Sequence, residues 1–334
     1  MAFRTLINYG QTGRCIFTNV NCQRNYLNVK NTTRFFKTFR DSSNGNIKSR
    51  NLFDTTIPSS GNYLKPIGFA ILFAGVTHAG ATIWEYEKIR NRAWKVINRY
   101  QERQVPRTGW RLQAETWWRS LTEGQRIFVP ICFLNILVFG AWRIPALQST
   151  MLRYFVASPG SRSVCLPMIY STFSHSSLVH LGLNMYVLQS FITPAVQTLG
   201  KEQFVALYLT SGMMASLLSH LHKVAFKMPS RSLGASGAIM GIVGFICLTY
   251  PDVQLGVAFL PMITFSAANA LKGLIAMDTI GCVFRMKLID HAAHLGGVFW
   301  GMFWQMWGNS HIWGGREPLL NLWHRYRKPP QKED

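Results

Sequence analysis

The chain has 334 residues with 35 Lys+Arg against 14 Asp+Glu, yet only 15% of its residues are charged and 48% are hydrophobic. That apolar content excludes a disordered chain. Six cysteines without a CxxC pair exclude a disulfide framework and offer no zinc-ligand spacing, so no metal is expected and the cysteines read as free thiols. High basicity at low charge density means that the charges are unevenly spread.

Residues 1–65 carry ten basic side chains against Asp41 and Asp54, and no acidic residue precedes Asp41. Arg4, Arg14, Arg24, Lys30, Arg34, Lys37 and Arg40 sit among Asn, Ser and Thr, as in a mitochondrial targeting segment. A secretory signal is disfavoured because no apolar core follows the first charges. A nucleic-acid partner is not expected, since no folded binding module accompanies the basic residues. Beyond this extension the windows 66–84, 127–142, 163–200, 203–222, 232–251, 253–271 and 291–315 contain no charge. About 20 apolar residues span a bilayer as a helix. Residues 163–177 are rich in Ser and Pro and read as a loop. Seven transmembrane helices are therefore expected near 66–85, 126–146, 178–198, 203–222, 236–251, 253–272 and 290–309. The fold class is all-α, a six-helix core over 126–309 preceded by one extra helix. A basic linker, 86–126, separates them, and a polar tail, 310–334, follows. In the linker, Trp110, Trp117 and Trp118 alternate with Arg111 and Arg119, which suits either a membrane surface or a solvated charged helix.

Ionisable residues inside such spans are candidates for function. Three clusters stand out: His175, His180 and Asn184; Gly234-Ala235-Ser236-Gly237; and Asp290-His291 with His294 one turn on. In an antiparallel six-helix core the second, fourth and sixth helices start on the same side. His180, Ser236 and His294 lie near those starts, so they share one membrane face. A Ser within reach of a His is a nucleophile with its general base, and a second His with an Asn supplies oxyanion donors. Gly237 with Gly241 and Gly297 with Gly301 form two GxxxG pairs, which let helix backbones approach. Asp290, one turn before His294, stands where it can cap the last helix or, as the less favoured alternative, orient that His, and His291 reads as a packing or capping residue. There is no HExxH to support a zinc protease.

Gly-Ala-Ser-Gly at 234–237, Ala-His-Leu-Gly-Gly at 293–297 and His-x4-His-x3-Asn at 175–184 together resemble the rhomboid intramembrane serine proteases. The run 261–272 with Ala276-Met277-Asp278-Thr279, the basic presequence and the extra helix are similar to the mitochondrial presenilin-associated subgroup. The resemblance implies a Ser–His dyad without a carboxylate. Ser236 is then the nucleophile and His294 the base, with His180 and Asn184 completing the oxyanion hole. His175 would be structural, and Gly234 would allow close approach. Gly237 supports the same packing. Met240 occupies the position where bacterial members carry a supporting Tyr, and Leu166 and Pro167 replace their first-loop Trp-Arg. The implied substrates are single-pass transmembrane proteins of the mitochondrial inner membrane, the enzyme is multi-pass in that membrane's lipid, and no cofactor is needed. The implied role is in mitochondrial quality control and membrane dynamics. Two other readings of the same polar face are a catalytically silent helix binder and a small-solute transporter. The positive-inside rule puts the basic linker in the matrix, whereas the subgroup's topology implies the reverse.

Overall fold

The computed structural model describes residues 63–97, 108–161, 163–257, 260–286 and 289–327. The expected targeting segment lies outside them, apart from its last residues. Helix α1 (Leu64–Ile97) is the extra helix, and it continues well past the expected boundary at 85. Helix α2 (Trp110–Ser120) carries the Trp/Arg stretch and buries none of its residues. Then come α3 (Glu123–Ala141), α4 (Gln148–Tyr154) and α5 (Cys165–Tyr170), the last lying in the expected loop. The remaining helices are α6 (Leu178–Leu199), α7 (Lys201–Ala225), α8 (Ser236–Thr249), α9 (Ala267–Val283), α10 (His291–Phe303) and α11 (Glu317–Arg327). Helix α10 runs on as a π-helix through Trp304–Trp313. By length and composition the helices over 64–96, 123–141 and 201–225 are long and apolar enough to cross a membrane.

Helix α8 is the centre of the core, packed against α6, α7, α9 and α10. From Gly237 to Cys247 every residue except Met240 is buried. Small residues make this possible. A Cβ on Gly297 or Gly301 would overlap the backbone of Gly237 or Gly241, and one on Gly244 would lie 2.7 Å from the Val298 carbonyl oxygen. The α10 pair therefore seats directly on the α8 backbone, while a Cβ on Gly237 or Gly241 would first meet Ala215 or Ser211 of α7, so the two GxxxG pairs bring α7, α8 and α10 into close approach.

The extra helix is joined to the core by polar and aromatic contacts. His78 is buried and stacks on the fully buried Trp304, with ring centroids 4.1 Å apart. Lys88 pairs with Glu202 at 2.6 Å and Arg316 with Glu85 at 3.0 Å.

One expected span is corrected. Residues 253–272 do not form a helix: β1 (Gln254–Val257) pairs antiparallel with β2 (Leu260–Ser266), Gln254 opposite Ser266. The next helix starts only at Ala267, where the Ser266 hydroxyl accepts from the Asn269 amide. Hydropathy alone cannot separate an apolar strand from a helix over so short a run. Here Gly256 and Pro261 disfavour a helix interior, and Val257, Ile263, Thr264 and Phe265 favour strands. The displaced helix also contains Lys272 and Asp278, which a search for charge-free windows cannot cross.

Candidate active site

Ser236 is the first residue of α8, and His294 lies one turn into α10. His294 Nε2 stands 3.1 Å from Ser236 Oγ, within hydrogen-bond reach. His294 is 8% exposed and Ser236 is half-buried. The approach of these side chains follows from the glycine contact beside them, since Gly237 and Gly297 lie one and three residues further along the same two helices.

The residues expected to form the oxyanion side are placed by the α6 start. The His180 ring lies over Gly234, where a Cβ would stand 2.9 Å from Cε1 and 3.0 Å from Nε2, and 3.8 Å from Ser236 Oγ. Gly234 has φ +133°, a conformation that L side chains rarely adopt, so both its backbone and its neighbour require glycine. Ser176 Oγ is 3.3 Å from His180 Nδ1, which sets the ring's other edge. His175 is buried and packs edge-on to His180 at 5.0 Å, and its Nε2 accepts from the Ala235 amide at 3.5 Å. Asn184 is buried on the His180 face of α6, but its side-chain amide donates to the carbonyl of His180 at 2.8 Å. Met240 packs on the central core and is half-buried.

The N-terminus of α8, like that of α7, has no side-chain cap. Helices α6, α9 and α10 are capped by Ser177, Ser266 and Asp290, whereas Ala235 precedes α8 and offers no side-chain cap. The first amides of a helix have no intrahelical partner and attract negative charge. At α8 these uncapped donors begin with the Ser236 N–H itself.

Three of the residues missed by the sequence reading form one cluster. Lys223 is buried and pairs with Asp290 at 2.6 Å, and Ser219 donates to the same carboxylate at 2.6 Å. Ser232 joins both Lys223 and Asp290, and its backbone pairs with Ala157. Asp290 meanwhile caps α10 through the Ala293 amide at 3.1 Å. This cluster clamps the segment before Ser236 to the start of the helix carrying His294. The available signal is a lone Lys closing the charge-free apolar run 203–222. Among the described residues no three His, Cys, Asp or Glu side chains converge as a metal site requires.

Residues 163–309 match the Rhomboid domain family. The chain is 43% identical over 270 residues to the human presenilin-associated rhomboid-like protein, mitochondrial, covering 79% of this chain and 71% of the relative. It is 36% identical over 290 residues to the zebrafish (Danio rerio) presenilin-associated rhomboid-like protein A, mitochondrial, covering 79% and 75%. The Saccharomyces cerevisiae rhomboid protein 1, mitochondrial, is 32% identical over 187 residues, 55% of this chain and 53% of that protein.

Proposed function

The chain belongs to the rhomboid family, as a multi-pass mitochondrial membrane protein of its presenilin-associated rhomboid-like subgroup, and on that premise we propose that it is an intramembrane serine endopeptidase. The observation that carries this reading is the 3.1 Å approach of His294 Nε2 to Ser236 Oγ. Ser236 Oγ attacks a substrate carbonyl carbon while its proton passes to His294 Nε2. The C–N bond then breaks, and the leaving nitrogen takes that proton. Water, deprotonated by the same imidazole, hydrolyses the acyl-enzyme and regenerates Ser236. The oxyanion formed at each addition step is held by the Ser236 N–H at the uncapped start of α8, with His180 and Asn184 as further donors. His175 and Gly234 seat His180, and Gly237 and Met240 support the helix beneath Ser236.

The depth of the site fits cleavage inside or near a transmembrane segment. Helix α8 has 14 residues, about 21 Å, against a hydrocarbon thickness of about 30 Å. The extended residues before it supply the remaining depth, so Ser236 lies below one surface with a polar approach. The substrates are single-pass transmembrane proteins of the mitochondrial inner membrane, and the reaction serves quality control and membrane dynamics. The layout is one plus six: a targeting segment over 1–65, an extra crossing, a basic connection, and a six-helix core over 126–309.

The test is labelling of the detergent-solubilised full chain with a fluorophosphonate, beside cleavage of a transmembrane reporter. Wild type is expected to label at Ser236 and cleave, and Ser236→Ala and His294→Ala to do neither. Undiminished cleavage by Ser236→Ala, or an unlabelled wild type that binds but does not cut, overturns the reading.

A further inference from the structure

Asp278 is an acidic side chain in the interior of α9, fully buried, and it has no part in the two-residue scheme above. Its Oδ1 stands 2.7 Å from Nδ1 of His291 and 3.4 Å from Nδ1 of His294. One turn further along α9, Gly281 lies directly under the His291 ring, and a Cβ there would overlap it. The Asp278–Gly281 face of α9 thus seats one imidazole and turns the carboxylate toward the second.

The chemistry of His294 requires such a group. To accept the Ser236 proton, Nε2 must be unprotonated, so in the neutral ring the hydrogen resides on Nδ1. That Nδ1 is buried and has no hydrogen-bond partner in ideal geometry. A buried donor left unpaired is costly. Asp278 Oδ1 faces it from 3.4 Å, and catalytic hydrogen bonds that are long in the free enzyme tighten when substrate binds. Asp290, the other acidic residue near His294, is engaged by the helix cap and by Lys223.

We infer that Asp278 is a positioning residue for His294. It accepts from Nδ1–H, fixes the tautomer that leaves Nε2 free, and stabilises the imidazolium formed when Ser236 attacks. His291 donates to the same carboxylate oxygen, and Asp278 keeps its place on α9 without it. Asp278 takes no proton at any step. The inference rests on the Ser236–His294 reading and turns its dyad into a three-residue relay of orientation.

The experiment uses the full chain in detergent with a transmembrane reporter. Asp278→Asn is expected to lower kcat at least about tenfold, a part of the roughly 10²–10⁴ that a positioned general base contributes. KM stays within about twofold, because Asp278 acts on the base and not on substrate binding. The fluorophosphonate reaction at Ser236 slows by the same factor as kcat. His291→Asn, which leaves Asp278 in place, costs at most about threefold. A kcat and labelling rate within twofold of wild type for Asp278→Asn overturns the inference. So does an equal loss in both variants, which would mean that the carboxylate serves only to hold His291. Should Asp278→Asn fail to fold, Asp278→Ser is judged by the same criteria. An inactive Ser236→Ala beside an unimpaired Asp278→Asn sinks this inference alone, whereas an active Ser236→Ala sinks the protease reading itself.

Discussion

The two sides of Ser236 are built on different principles. On the His294 side, position is set by backbone. Gly297 and Gly301 lie against the Gly237 and Gly241 backbone with no side chain between, so a side chain at either would push the two helices apart. On the His180 side, position is set by polar side chains that already have other partners. His180 is held by Ser176 and by the His175 ring, and the Asn184 amide is bonded to its own helix. On the proposed protease reading, the first side is set before substrate arrives, whereas the donor directions of the second depend on the bonds its side chains already make. Nucleophile activation should then fail all at once when packing is disturbed, whereas oxyanion binding should fail by degrees.

The largest effect is expected from Gly297→Leu. Its side chain has no room against the Gly237 carbonyl, so α8 and α10 must separate. Overpacking of a tight core costs about 1–3 kcal/mol or more. Even a small displacement of His294 from Ser236 removes base catalysis. Loss of fluorophosphonate labelling together with a lowered thermal transition is the expected result. Retained labelling would show that the glycine contact does not fix the dyad.

Gly234→Ala should come next. The added methyl meets the His180 ring at about 2.9 Å, and φ +133° adds backbone strain of about 1–3 kcal/mol. Removing a preorganised oxyanion donor lowers kcat by about 10²–10³. Gly234→Ala is expected to approach that loss while the glycine-packed helices below keep their cooperative unfolding, measured by thermal denaturation beside reporter cleavage. A parallel collapse of stability and activity would erase the distinction between the two sides.

Much of this division was legible in the residues. The start-side parity of alternate helices brought His180, Ser236 and His294 together on paper, and the paired GxxxG spacings named the contact that closes the gap. What was hidden is instructive. Residues 253–272 read as a crossing because a hairpin of Leu, Val, Ile and Phe is as apolar as a helix. Treating charges as boundaries then placed Asp278 outside any span, although α9 buries it beside His291 and His294. Lys223 was lost for the same reason, since its partner Asp290 is distant in sequence. Burial of a charge depends on a partner supplied by the fold, and a window of sequence cannot show one.

A smaller effect is expected at Asn184, where the two sides can be separated. One of its two amide hydrogens already bonds the His180 carbonyl at 2.8 Å, so only the other can meet an oxyanion, in a direction which that bond constrains. The net gain is less than that of an unengaged donor such as the Ser236 N–H. Asn184→Ala should lower kcat about tenfold, below the 10²–10³ of a preorganised donor, with the Ser236 labelling rate reduced less than kcat. A loss as large as that of Gly234→Ala would mean that Asn184 is preorganised after all.

The smallest effect is expected at Met240, one turn below Ser236 on the helix that packs against α10. Met240 is the one residue between Gly237 and Cys247 that is not buried, and it rests on the edge of the central core. Volume-conserving apolar exchanges usually cost less than about 1.5 kcal/mol. If backbone contact of α8 with α10 fixes His294, a side chain at this edge has little left to position. Met240→Leu should then keep kcat within about threefold of wild type. A loss of tenfold or more, with the unfolding transition unchanged, would show that the thioether orients the imidazole. The His294 side would then depend on side-chain packing much as the His180 side does.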